Sequence, residues 1–133
     1  MAHSLDWLLK PRTVAVIGAS RTRGTIGAEI FHNLIANGFT GAVYPVNPGA
    51  TSVHGVRAYP SLRAVPDPVE LAVIVVPAAQ VPAVIDDCVA IGVKAVLIIT
   101  AGFAETGDAG RAIQDALLAK IRGAGMRMVG PNC

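Results

Sequence analysis

No apolar run in the 133-residue chain reaches the roughly 20 residues that a membrane-spanning helix needs. The start Met1-Ala2-His3-Ser4-Leu5-Asp6 also lacks the basic-then-apolar layout of a secretion signal, so a cytoplasmic protein with no membrane partner is expected. Aromatic residues make up 5% of the chain, the lysines never cluster and the net charge is only +2. With neither stacking platforms nor a basic stripe, no nucleic-acid partner is expected. The two cysteines, Cys88 and Cys133, show no metal-ligand spacing and nothing that demands a disulfide. Cys88, beside Val89 and Ile91, reads as a small buried thiol.

Self-contained catalytic machinery is missing too. There is no Ser-centred nucleophile elbow, no metal-ligand cluster and no Lys-Ser/Thr pair of a nucleotide-hydrolysing P-loop. Asp86 and Asp87 are adjacent on an expected helix and so point in different directions, which makes a poor acid–base pair. His3, His32 and His54 match no catalytic motif, and surface or packing duty is expected of them. No catalytic residue and no metal ligand is assigned.

What the chain has is apolar residues, 53% against 15% charged. That balance fits a parallel sheet covered on both faces. Five apolar runs alternate with helical segments: Thr13 to Ile17, Ala42 to Val46, Leu71 to Val76, Ala95 to Thr100 and Met126 to Val129. The alternation predicts an α/β fold with a five-stranded parallel sheet. Ile26, Ile30, Leu34 and Ile35 recur at helical spacing, with Gly38 as a C-cap. Val81 to Ile91 and Ala109 to Ala124 read as full helices, Tyr59 to Val65 as a short turn of helix, and Ser4 to Leu9 as a short N-terminal helix. No repeat, low-complexity tract or linker divides residues 1–133, so one domain is expected.

The most informative segment joins the first strand to the first long helix, Gly18-Ala19-Ser20-Arg21-Thr22-Arg23-Gly24-Thr25-Ile26-Gly27. A glycine-bounded loop that opens a helix offers backbone N–H groups and a favourable dipole to phosphate. Its glycines are spaced more widely than the dinucleotide G-x-G-x-x-G, and the second strand ends at Asn47 rather than at the acid that grips a ribose. Both departures count against an NAD-binding redox domain. They favour a ligand richer in phosphate, with Ser20, Arg21 and Arg23 as anion-binding side chains. Ligands of open α/β sheets sit beyond the carboxyl ends of the strands. The remaining candidates are therefore Asn47 and Pro48, Pro77 and Ala78, Thr100 to Phe103, and Asn132 with Cys133.

Taken in order, five motifs resemble the CoA-binding domain of NDP-forming acyl-CoA synthetases and the related α subunit of succinyl-CoA synthetase. They are Val14-Ala15-Val16-Ile17-Gly18-Ala19-Ser20, Pro45-Val46-Asn47-Pro48, Val75-Val76-Pro77-Ala78, Ile98-Ile99-Thr100-Ala101-Gly102-Phe103-Ala104-Glu105 and Gly130-Pro131-Asn132-Cys133. The resemblance implies a Rossmann-like three-layer domain that binds coenzyme A. By position, Gly18, Ser20, Arg21, Arg23, Gly24 and Gly27 belong to the phosphate loop, and Asn47 and Pro48 lie by the nucleotide. Pro77, Thr100, Ala101 and Gly102 guide the pantetheine arm, and Asn132 closes the set. Relatives commonly carry a basic residue directly after the Asn-Pro pair, where this chain has Gly49; Arg21 or Arg23 is the substitute. The family joins a carboxylic acid to coenzyme A through acyl-phosphate and phosphohistidine intermediates, coupled to a nucleoside diphosphate. The phosphohistidine lies in a later domain, so the chain is expected to be the N-terminal piece of a longer protein whose other domains or subunits are its partners. A second reading is the regulatory CoA-binding part of a synthetase-like protein acetyltransferase.

Overall fold

A computed structural model describes residues 5–130. Strands β1 (Thr13–Ile17), β2 (Ala42–Val46), β5 (Leu71–Ile74), β6 (Ala95–Ile98) and β7 (Arg127–Val129) form one parallel sheet in the order β2-β1-β5-β6-β7. Successive side chains of a strand point to opposite faces, and the core divides accordingly. Ala15, Ile17, Ala72 and Ile74 pack with Val81, Ile85 and Cys88 of α3 (Val81–Ile91) and Leu117 and Ile121 of α4 (Asp108–Gly123). Val14, Val16, Leu71 and Val73 pack on the other face with Phe31 of α2 (Ile26–Ala36) and Trp7 and Leu8 of α1 (Asp6–Leu9). The result is the expected three-layer, Rossmann-like α/β arrangement. Ser4, expected to open the first helix, lies outside the described residues.

Three features differ from the sequence reading. β5 and β6 end two residues early, at Ile74 and Ile98, because the chain then turns outward to build the crevice described below. The link from β2 to β5 contains a hairpin, β3 (Ser52–Val53) with β4 (Val56–Arg57), besides the short helical turn at Leu62–Ala64. His54 and Gly55 between them both have positive φ, 49° and 77°, as a type I′ turn requires. Finally, Ile26 and Ile35 are exposed rather than core-facing; Gly27, Ala28 and Phe31 form the buried stripe of α2.

The amino ends of the strands are closed by hydrogen bonds. The Glu70 carboxylate accepts from Arg12 N–H at 2.7 Å and from Arg12 Nε at 3.1 Å, while the Glu70 N–H donates to Thr13 Oγ1 at 2.9 Å. These bonds tie β1 to β5 at the end remote from the glycine loop.

Gly27 brings α2 onto the exit of β1. A Cβ on Gly27 would stand 2.0 Å from the Gly18 carbonyl oxygen, which no packing adjustment of a side chain relieves. The sequence reading gave Gly27 to phosphate approach, but its space is already filled by the Gly18 backbone. Gly27→Val is therefore expected to destabilise the fold itself by about 3 kcal/mol, the upper end of overpacking costs. A lowered denaturation midpoint in the absence of any ligand checks this.

Candidate functional site

Strand order reverses between β1 and β5: the chain leaves β1 toward β2, and β5 leads away to β6 and β7. Backbones diverge at such a point and leave a crevice beyond the carboxyl ends. Here it holds two pockets. The first, ≈ 400 Å³, is lined by Gly18, Asn47, Pro48, Ser61, Gln80 and Asp87 among others. The second, ≈ 390 Å³, is lined by Ile26, Val75, Val76, Pro77, Ile99, Thr100 and Ala101. Val75, Val76 and Pro77 line both, as a shared wall.

Local hydrogen bonds explain how each wall is placed. Gly18 N–H donates to Val46 O at 3.0 Å and Asn47 N–H to Tyr59 O at 2.9 Å, so the segment after the hairpin pairs with the end of β2 and carries Pro60 and Ser61 to the crevice. Asn47 donates from Nδ2 to Ala19 O at 2.8 Å and accepts from Gly49 N–H at 2.7 Å. Its amide thus clamps the first loop to the second, leaving one N–H and one lone pair. Thr100 Oγ1 donates to Val76 O at 2.6 Å and fixes the loop after β6 against the shared wall. Glu105 accepts from the Gly102 and Phe103 N–H groups, which holds its carboxyl below the usual range.

The loop from Gly18 to Ile26 starts in the first pocket and ends in the second. Ser20 Oγ accepts from Thr22 N–H at 3.0 Å; the Thr25 hydroxyl donates to Thr22 O at 2.8 Å and caps α2 by accepting from Ala28 N–H at 3.3 Å. Arg23 makes a two-pronged pair with Glu29, Nε to Oε1 at 3.0 Å and Nη2 to Oε2 at 3.2 Å. The same Oε1 accepts from Gly24 N–H at 3.0 Å, where φ is +91°. Arg21 has no hydrogen bond or ion pair among the described residues.

Of the residues singled out from sequence, the first pocket thus gathers Gly18, Asn47, Pro48 and Pro77, and the second Pro77, Thr100 and Ala101. Ser20, Arg21, Arg23 and Gly24 stand on the bridging loop, Gly102 adjoins Ala78 at φ +106°, and Asn132 lies outside the described residues. Ile26 falls within the candidate segment Gly18 to Gly27, whereas reading the sequence missed Ser61, Gln80 and Asp87, which no motif marks.

Other chemistry is ruled to the margins. No group of three His, Cys, Asp or Glu among the described residues could hold a metal, and none of their helices is long and apolar enough to cross a membrane. Cys88 is buried, with its thiol pushed up to about 12 by desolvation. Asp86 pairs with Lys120 and Asp87 with Arg63, so the two carboxylates do face different partners. His54 stacks on Phe31 and sits 5.4 Å from His32, ring centre to ring centre.

Residues 12–133 match the CoA binding domain family. The α subunit of ADP-forming acetate–CoA ligase I from Pyrococcus furiosus is 46% identical over 133 residues, covering 97% of this chain and 29% of that protein. ADP-forming acetate–CoA ligase from Methanocaldococcus jannaschii is 40% identical over 131 residues, covering 98% of this chain and 18% of the relative. The structure of a dinucleotide-forming acetyl-coenzyme A synthetase 1 from Ca. Korarchaeum cryptofilum, in complex with phosphate and ADP, superposes with a TM-score of 0.91 at 44% identity, covering 96% of this chain and 27% of that one. The chain thus spans less than a third of the length of these relatives.

The Arg23–Glu29 pair has a pH signature. The bonds from Arg23, then from Gly24 N–H, pull the Glu29 carboxyl down from 4.5 to about 2. A depressed carboxyl stabilises the fold in full above the unfolded value and loses that contribution as pH falls through the folded one. The pair's contribution is therefore intact above about pH 4.5 and lost toward about pH 2. Carbon-detected NMR should place the Glu29 midpoint near 2, and Arg23→Ala should move it up toward the ordinary value.

Proposed function

Since the chain belongs to the CoA binding domain family, we propose that its crevice holds coenzyme A with the nucleotide in the first pocket and the pantetheine arm in the second. The observation that carries this is the difference in polar side chains across the Val75–Pro77 wall, both pockets being otherwise mostly apolar. On one side Asn47, Ser61, Gln80 and Asp87 offer polar groups suited to a base and ribose. On the other, Ile26, Val75, Ile99 and Ala101 form an apolar channel with Thr100 as a single hydroxyl. The loop bridging the two pockets then meets the diphosphate that joins those halves of the ligand, at Ser20, Arg21, Arg23 and Gly24. Gly18 and Pro48 shape the nucleotide end, and Pro77, Ala101 and Gly102 the arm. Asn132 joins the site on the resemblance of its motif alone. Gly49 brings no charge where relatives commonly have a basic residue, and Arg21 is the cation free to replace it.

The same reading makes this chain one part of an ADP-forming acyl-CoA synthetase. Its catalytic steps fall to other domains or subunits, because no histidine lines either pocket among the described residues. The high identity to ligase subunits and the small share of their length that is covered support this.

Calorimetry on the chain should show coenzyme A binding more tightly than NAD. Arg21→Ala should weaken coenzyme A by up to about fivefold at low salt, with the loss shrinking as salt screens the contact. Tighter binding of NAD would overturn the assignment.

A second measurement tests which pocket takes which half. Ile26→Asn is expected to lower affinity for coenzyme A while leaving adenosine 3′,5′-bisphosphate unchanged, since only the former carries an arm. An equal loss for both would reverse the assignment of the second pocket.

A further inference from the structure

Two donors in the bridging loop are already spoken for. Arg23 presents its guanidinium fork and Gly24 its backbone N–H to one carboxylate, that of Glu29. Fork and amide together are what a phosphate oxygen pair would take from this loop. Ser20 bonds Thr22, and Thr25 bonds Thr22 and Ala28, so among the described residues Arg23 and the Gly24 amide are the loop donors that Glu29 holds. We propose that the Glu29 carboxylate is an internal stand-in for a ligand phosphate, which the diphosphate of coenzyme A displaces from Arg23 and Gly24.

The exchange is physically easy. Both partners are substantially exposed, Arg23 at 57% and Glu29 at 40% of the side chain, and pairs of that kind hold weakly against a competing anion. Glu29 also lies in the first turn of α2, where the helix dipole favours an anion whether or not Arg23 is attached. The freed carboxylate is thus not stranded. Arg21, unpaired two residues earlier, makes the first contact with the incoming phosphates. In the absence of ligand the Glu29 carboxylate holds Arg23 and the Gly24 amide in place. Glu29 therefore sets a threshold that inorganic phosphate fails and a pre-positioned diphosphate passes.

This inference rests on the coenzyme A reading above, and one variant separates the two. A stand-in competes with ligand, so Glu29→Gln should tighten coenzyme A by about two- to fivefold, the worth of one exposed ion pair. The salt dependence should steepen because a net cation now meets the ligand. The gain should disappear when Arg23→Ala is added, and in the unmutated chain the Gly24 amide resonance should move on titration with coenzyme A. A fixed brace predicts the reverse sign: Glu29→Gln would loosen the loop and weaken binding. Unchanged or weaker binding, with folding verified by circular dichroism, overturns displacement while leaving the coenzyme A site standing. A gain that persists in the Arg23→Ala background also overturns it, since it reports only the removal of a nearby negative charge. If neither the unmutated chain nor the variant binds coenzyme A, the site assignment falls, and the displacement with it.

Discussion

The contact between Gly27 and the Gly18 carbonyl is the constraint on which the crevice depends. It pins the first turn of α2 against the exit of β1, so the chain between them must double back within a short span. Gly18 and Gly24 meet that demand with φ of +100° and +91°, conformations that cost glycine nothing and other residues strain. The loop's polar groups are then forced to pair with one another, which they do through Ser20, Thr22 and Thr25. A side chain at position 27 would lift the helix and carry Ile26 out of the second pocket. α4 repeats the device: a Cβ on Gly110 would stand 1.9 Å from Phe103 O, so the helix packs directly on the loop after β6.

Much of this was legible in the sequence, for identifiable reasons. The central strands β1, β5 and β6, buried on both faces, read as continuous apolar runs, and the edge strands β2 and β7 continued the alternation. β1 and β2 agree to the residue, while the ends of β5 and β6 and the start of β7 were misjudged. The hairpin at Ser52–Arg57 escaped because its turn is His54-Gly55, and histidine is not among the residues that announce a type I′ turn. The buried stripe of α2 escaped for a different reason. It is made of Gly27, Ala28 and Phe31, two of them too small to stand out against Ile26 and Ile35. Ile30 and Leu34, from the same helical spacing, do pack partly buried against that core. For Arg23 the sequence showed a charge in a phosphate-type loop but not its partner, because Glu29 lies six residues on, across the boundary between loop and helix.

Glu29 and Glu105 share a logic that the two aspartates of α3 do not. Each glutamate sits beside a loop at a strand's carboxyl end and receives backbone N–H groups, Gly24 in one case and Gly102 with Phe103 in the other. Loop amides outside regular structure need an acceptor when no ligand is present. A carboxylate on the adjoining segment supplies it and stays ionised because those bonds favour the charged form. Asp86 and Asp87 instead meet side-chain cations, Lys120 and Arg63, and organise no backbone. The position of a carboxylate relative to the loop amides, rather than its charge, decides whether it shapes the site.

The two ends of the sheet divide the work of the chain. At the amino ends Glu70, buried to 9% exposure, accepts from Arg12 while its backbone N–H donates to Thr13, and its carbonyl also accepts from Lys94 and Ala95 N–H. That knot joins β1, β5 and β6 around the buried Glu70, while the Arg12 side chain itself is 83% exposed. At the carboxyl ends the hydrogen bonds belong to the loops, some within one loop, as between Thr22 and Ser20, and some across two, as from Asn47 to Ala19 O and from Thr100 to Val76 O. The clamp through Asn47 accepts from the backbone N–H of Gly49, a group that any residue but proline supplies, so a glycine there keeps it. Gly18 and Gly27 allow no such freedom: Gly18 lines the first pocket and its backbone packs directly against Gly27.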